Sequence, residues 1–162
     1  MATTPLPLNV TVYSFADLVF SINTPVNGNT FTGSGQEGIK QITVSMATTR
    51  TVHDKAADGA IMVSAVPGNN GTLSLEMQQT SPLHDFLLAW FNALDTALQN
   101  KDVSNWATAS MGVRNIVDGT AHNAVGISPT KIPDKQYSEQ GATVTWELMA
   151  AQILNVGNAV SQ

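Results

Sequence analysis

The sequence predicts a mainly β domain, a β-sandwich or barrel with one flanking α-helix. Leu73, Leu75 and Met77 alternate with Ser74, Glu76 and Gln78, the period of two of a strand buried on one face. Short runs rich in Val, Ile, Thr, Tyr and Phe are separated by clusters of Gly, Pro, Asn and Asp along most of the chain. One stretch alone, residues 82–99, carries apolar side chains at spacings of three and four. About seven strands and a single helix make one domain.

In chain order, "LNVTVYSFADLVFSI" (8–22) reads as two short strands broken near Ser14 to Asp17. The glycine-rich "NTPVNGNTFTGSGQEG" is a loop or irregular hairpin. "IKQITVSMA" (39–47) is a strand of ragged alternation, with Ile39, Thr43 and Ser45 on one face and Ile42, Val44 and Met46 mostly on the other. "AIMVSAV" and "TLSLEMQQ", flanking "PGNNG", are expected to pair as a hairpin. Ser81 is placed to cap the helix and Pro82 suits its first position, where a missing N–H costs nothing. The stripe Leu83, Phe86, Leu87, Trp90, Phe91, Leu94 and Leu98 must be buried against a sheet, with Leu83, Phe86, Leu87, Trp90 and Leu94 as its packing core. After the polar "NKDVSNW" comes a second hairpin, "ATASMGVRNIV-DG-TAHNAVGI", turning at Asp118-Gly119. "SPTKIPDKQYSEQGA", with two prolines, is a loop or edge segment, and residues 143–154 form a final strand with Trp146 in the core.

Composition narrows function. Hydrophobic residues make up 43% of the 162, enough for a sizeable core, yet only 12% are charged, roughly half the usual share. A polar but charge-poor surface suits a protein covered by partners. Twelve acidic against seven scattered basic residues give a net charge of −5, so the clustered cations that grip phosphates are missing. There are no cysteines, which excludes disulfides, thiolate nucleophiles and cysteine zinc sites. "MATTPLPLNV" has neither a basic start nor a long apolar run, so a soluble protein made in the cytoplasm is expected.

The one dense cluster of charge is "TVHDKAADG" (51–59). A catalytic reading would make His53 a base, Asp54 its orienter and Asp58 a metal ligand. His84 and His122 complete no triad signature, and no GxSxG, HExxH, P-loop or GxGxxG is present. No catalytic, metal or cofactor residue is therefore assigned, and an enzyme is not expected. Two readings stay open for the cluster: a solvated hairpin end, or a loop docking on another copy. Arg114 and Glu147 fall in predicted strands, where a single charge faces water or pairs across strands. Trp106 fits either core or interface.

The order of "YSFADLVFSI", "QEGIKQITVSM", "KAADGAIMVSAVPGNNGTLSLEMQQTSPLHDFLLAWFNA", "GVRNIV" and "KIPDKQYSEQGATVTWEL" resembles the tail tube proteins of contractile-tailed bacteriophages. The matching blocks run from about Tyr13 to Leu148; "DTALQNKDVSNWATASM" and the tail "NVGNAVSQ" depart from the pattern. The resemblance implies a fold shared with the secretion-system tube protein Hcp, six copies forming a ring, and rings stacking into a tube inside a sheath. It implies a virion tail component assembled in the host cytoplasm, and DNA that passes without specific binding. The expected partners are further copies, the sheath protein, and baseplate and terminator proteins; no cofactor or membrane is involved. On this basis residues 1–162 form a single tail tube domain, with 1–9 and 155–162 as extended arms. Arg50, His53, Asp54, Lys55 and Asp58 become inter-ring contacts on a loop projecting along the tube axis. The alternatives are an Hcp-like secretion tube, a baseplate ring or, from another class, a monomeric β-sandwich binding module.

Overall fold

The computed structural model of the chain describes residues 12–35 and 38–157. Nine strands and one α-helix occur among them. Seven strands, β1 (Leu18–Thr24), β2 (Asn29–Ser34), β3 (Ile39–Met46), β6 (Gly71–Gln78), β7 (Ala109–Asn115), β8 (Ala121–Pro129) and β9 (Thr143–Val156), form one sheet in the order β2-β1-β7-β8-β9-β6-β3. Neighbours pair antiparallel throughout. The remaining two, β4 (Thr51–Lys55) and β5 (Ile61–Ala65), pair only with each other.

Helix α1 (Pro82–Gln99) starts as its sequence dictates: the Ser81 hydroxyl accepts from the Leu83 N–H, and Pro82 follows the cap. Leu83, Leu87, Trp90 and Leu94 are buried, Phe86 and Phe91 are half-buried, and Leu98 is exposed. Phe86 meets Phe31 on edge strand β2 at 5.4 Å between centroids, whereas His84 meets Trp146 on β9. Residues two apart lie on nearly opposite sides of a helix. The sheet therefore curls around α1, a half-barrel with the helix along its concave face. Alternate residues of β1, β6, β7 and β9 complete the core, Trp146 at its centre, and Trp106 packs against its margin.

The structure corrects several expectations. "AIMVSAV" and "TLSLEMQQ" do not pair across "PGNNG". Instead β3 pairs with β6, and β4 with β5, so residues 39–77 make one long ribbon. Thr51 to Lys55 are strand, not loop. The ragged alternation of β3 is a bulge at Lys40: Ile39 faces Met77 while Gln41 faces Glu76, which returns Ile39 to the core face with Ile42 and Val44. The Asp118-Gly119 turn is wider than a two-residue turn, closed by Gly119 N–H to Asn115 O, 2.9 Å. The break at Ser14–Asp17 is a 3-10 turn over Phe15–Asp17. Of the two predicted arms, 1–9 lies outside the described residues, as do 158–162 of the second; Asn155 and Val156, where that second arm was expected to start, are the last residues of β9, paired with His122 and Ala121.

Candidate assembly surfaces

The β4–β5 hairpin is an arm that leaves the body of the domain. All ten of its strand residues are exposed. Its register sets His53 against Val63, Asp54 against Met62, and Lys55 against Ile61. Opposed residues share a face and neighbours alternate, so Val52, Met62 and Asp54 lie on one side, with Ile61, Val63, His53 and Lys55 on the other. Val52 (50% exposed), Ile61 (60%), Met62 (61%) and Val63 (59%) leave both faces of a two-stranded ribbon apolar and uncovered. Such a ribbon is at best marginally stable alone. At the tip, Asp58 Oδ1 accepts from the Ala60 N–H at 2.9 Å, and Gly59 adopts φ +90°, which a side chain disfavours.

The five charged residues singled out in the sequence thus divide. His53, Asp54 and Lys55 stand on the arm, Asp58 shapes its tip, and Arg50 is at its root. There the Arg50 side chain donates to Val66 O (2.7 Å), Gly68 O (3.1 Å) and Asn69 Oδ1 (2.8 Å). The apolar content of the arm was visible in "AIMVSAV", yet alternation alone gave no sign that neither face would be covered.

Two further surfaces suit assembly. Among the described residues, β2 and β3 each have a strand neighbour on one side only. β2, "NTFTGS", carries no charge or proline to blunt its edge. The sheet face away from α1 carries short polar side chains, Ser21 opposite Thr32 and Thr43 opposite Ser74, with Glu76 opposite Thr145, beside exposed Val125 and Met149. Its charged groups include Glu76, Glu147 and Arg114, all on strand positions pointing away from the core. A shallow hollow of about 590 Å³ on this face is lined by Ser21, Thr32, Arg114 and Asn123 together with apolar Val19 and Val156.

The histidines belong to separate elements. His122 Nδ1 pairs with Asn155 Oδ1 at 2.6 Å on β8 and β9. His84, passed over in the sequence as a helix-start residue, is 1% exposed, and its Nδ1 accepts from Trp146 Nε1–H at 3.0 Å. Burial, then the nearby Lys135 charge, holds its pKa below the ordinary 6.5, against a smaller opposing effect of Asp85. Protonation would set two N–H donors face to face. The unfolded chain takes up this proton at about 6.5 and the folded chain only at lower pH, so the stability it contributes is complete above that value and lost as pH falls through the window below. Wild-type melting temperature should fall as pH drops below about 6.5, and His84→Gln, which keeps an acceptor for Trp146, should flatten that slope. Equal slopes in calorimetry would refute it. Among the described residues, no three His, Asp or Glu side chains gather in a way that would hold a metal.

A sequence model of the family described as "Bacteriophage PhiTE tail tube protein" matches residues 10–157. No curated protein sequence matches the chain. Among solved structures, the anti-feeding prophage cap (tube terminating cap) superposes with a TM-score of 0.59 at 12% identity, over 95% of this chain and 96% of that one. The anti-feeding prophage baseplate, 6-fold symmetrised, gives 0.57 at 16% identity, over 94% and 100%. A sheath–tube complex of an extracellular contractile injection system in its extended state gives 0.58 at 10% identity, over 93% and 94%. At these identities the likeness is one of fold.

Proposed function

The chain belongs to the bacteriophage PhiTE tail tube protein family, and on that premise we propose that it is the subunit of the inner tube of a contractile phage tail. Six copies close into a ring, rings stack into a hollow tube, and viral DNA leaves through it when the surrounding sheath contracts. The observation that carries this reading is the arm: a ribbon apolar on both faces, held clear of its own domain, is fit for cover by other copies. Stacked rings supply that cover, with His53, Asp54 and Lys55 setting register beside the apolar contacts.

Ring closure uses the sheet edges. The uncharged edge of β2 offers unpaired N–H and C=O groups to the next copy, as does β3. Residues 1–162 act as one tube domain, and the segments 1–9 and beyond β9 reach along neighbouring copies. The same tube meets sheath protein outside, and baseplate and terminator proteins at its ends, after assembly in the host cytoplasm. Electron microscopy of the purified protein tests this directly: rings or tubes support it, and monomers at high concentration overturn it.

The polar face of the sheet lines the lumen. Short Ser, Thr and Asn side chains, with Glu76 and Glu147 against the single Arg114, give a conduit that phosphates do not stick to, whereas a clustered basic lining would hold DNA and stall it. Assembled tubes are expected to show no tight DNA binding. A sub-micromolar affinity falling steeply with salt would contradict this assignment.

A further inference from the structure

We infer that the β4–β5 arm is preformed and aimed in the free subunit, and that Arg50 is the positioning residue that fixes its direction. This rests on the tube reading above for its purpose but not for its geometry.

The root of the arm is a mismatch. The β3–β6 pairing ends at Met46 opposite Gly71, and the β4–β5 pairing begins at Thr51 opposite Ala65. Residues 47–50 therefore face 66–70, four against five, an extra residue on the return strand that redirects the ribbon and releases carbonyls from the ladder. Arg50 takes up those carbonyls. Its Nε and one terminal nitrogen reach Val66 O and Gly68 O, and the same terminal nitrogen reaches the Asn69 side chain. Asn69 is itself tied to the body, since its carbonyl accepts from the Ile153 N–H of β9 at 2.7 Å. The bonds run without a gap from β9 through Asn69 and Arg50 to the base of the arm, where, next to the Thr51–Ala65 pair, Val66 N–H donates to Arg50 O at 2.8 Å.

The opposite side of the root is closed as well. Thr48 Oγ1 donates to Asn70 Oδ1 at 2.8 Å, and Ala47 N–H to Asn70 O at 3.0 Å. Gly68 passes so near Thr48 that a Cβ there would lie 2.7 Å from the hydroxyl oxygen, so only glycine permits this approach. Arg50 thus spends its donors on its own chain, on carbonyl and amide oxygens that a planar fork can reach together and a lysine ammonium cannot. An arm braced in this way docks without the entropy loss of ordering a free loop.

Hydrogen exchange on the free, full-length subunit tests the brace, and tube assembly tests its purpose. Wild-type amides in residues 51–65 should be protected; Arg50→Gln should speed their exchange roughly tenfold while β6 and β9 amides and the melting temperature hold. The same variant should assemble more slowly and into shorter tubes, and Arg50→Lys should not rescue it. Asn69→Ala, which keeps the carbonyl used by Ile153, should move both readouts less. Arg50→Cys with Val66→Cys, opposite one another in a chain that has no other cysteine, should restore protection and assembly when oxidised and lose both when reduced. An arm that exchanges like unfolded chain in the wild-type subunit overturns the inference, as does normal assembly of Arg50→Gln. Wild-type protein that never forms rings or tubes overturns the tube reading instead, and leaves the exchange comparison to decide the brace.

Discussion

Truncating Trp90 to alanine is expected to destabilise the isolated subunit by about 3–5 kcal/mol. Trp90 is 1% exposed and belongs to the same cluster as Leu87, Leu94 and Trp146, so its removal opens a cavity between α1 and the sheet. Against a total stability of about 5–15 kcal/mol for a domain of this kind, that loss leaves a marginal protein. Phe86→Ala should cost less, because Phe86 is half-buried and its main ring partner is Phe31 at the open edge. Urea unfolding of the free subunits measures both. A Trp90→Ala midpoint equal to wild type, combined with failed assembly, would assign the stripe to an interface and refute the packing of α1 described above.

The helix was legible in the sequence because its signals are local. Ser81, Pro82 and the three-and-four spacing lie within one window, and the stripe needed only some sheet to cover it. The strand alternations of β6 and β9 were legible for the same reason. Pairing was not. "PGNNG" carries as strong a turn signal as any in the chain, yet its residues close the root of a ribbon whose partners lie on either side of the arm. Which strand takes which neighbour is settled by burial: β6 has an apolar face to place between β3 and β9, while β5 has no covered face at all. The bulge at Lys40 and the brace at Arg50 depend on such long-range pairings, so neither could be read from spacing. His84 was missed because a histidine in a first helical turn is usually solvated, and only Trp146, far along the chain, reveals its buried role.

The arm yields the second large effect. Met62→Asp and Val63→Asp, one on each face, should each leave the melting temperature of the free subunit nearly unchanged, since both side chains are about 60% exposed there. In tubes, each copy would forfeit about 1–2 kcal/mol of apolar burial and bring a charge to a surface that should be dry. A ring repeats that loss at every copy, so either variant should abolish tubes. Charge reversal at Asp54→Lys acts through an exposed contact worth about 0.2–1 kcal/mol and should only shorten them, with the difference from wild type shrinking as salt rises. Asp58→Lys is a poorer probe, because Asp58 holds the tip through the Ala60 N–H and its loss would disturb the turn. The two faces also separate two geometries of docking. If Met62→Asp and Val63→Asp both block assembly, the arm is gripped on both sides, between two copies. Should only one do so, it lies flat on a single copy. Normal tubes from both, seen by electron microscopy, would remove the arm from the assembly interface altogether.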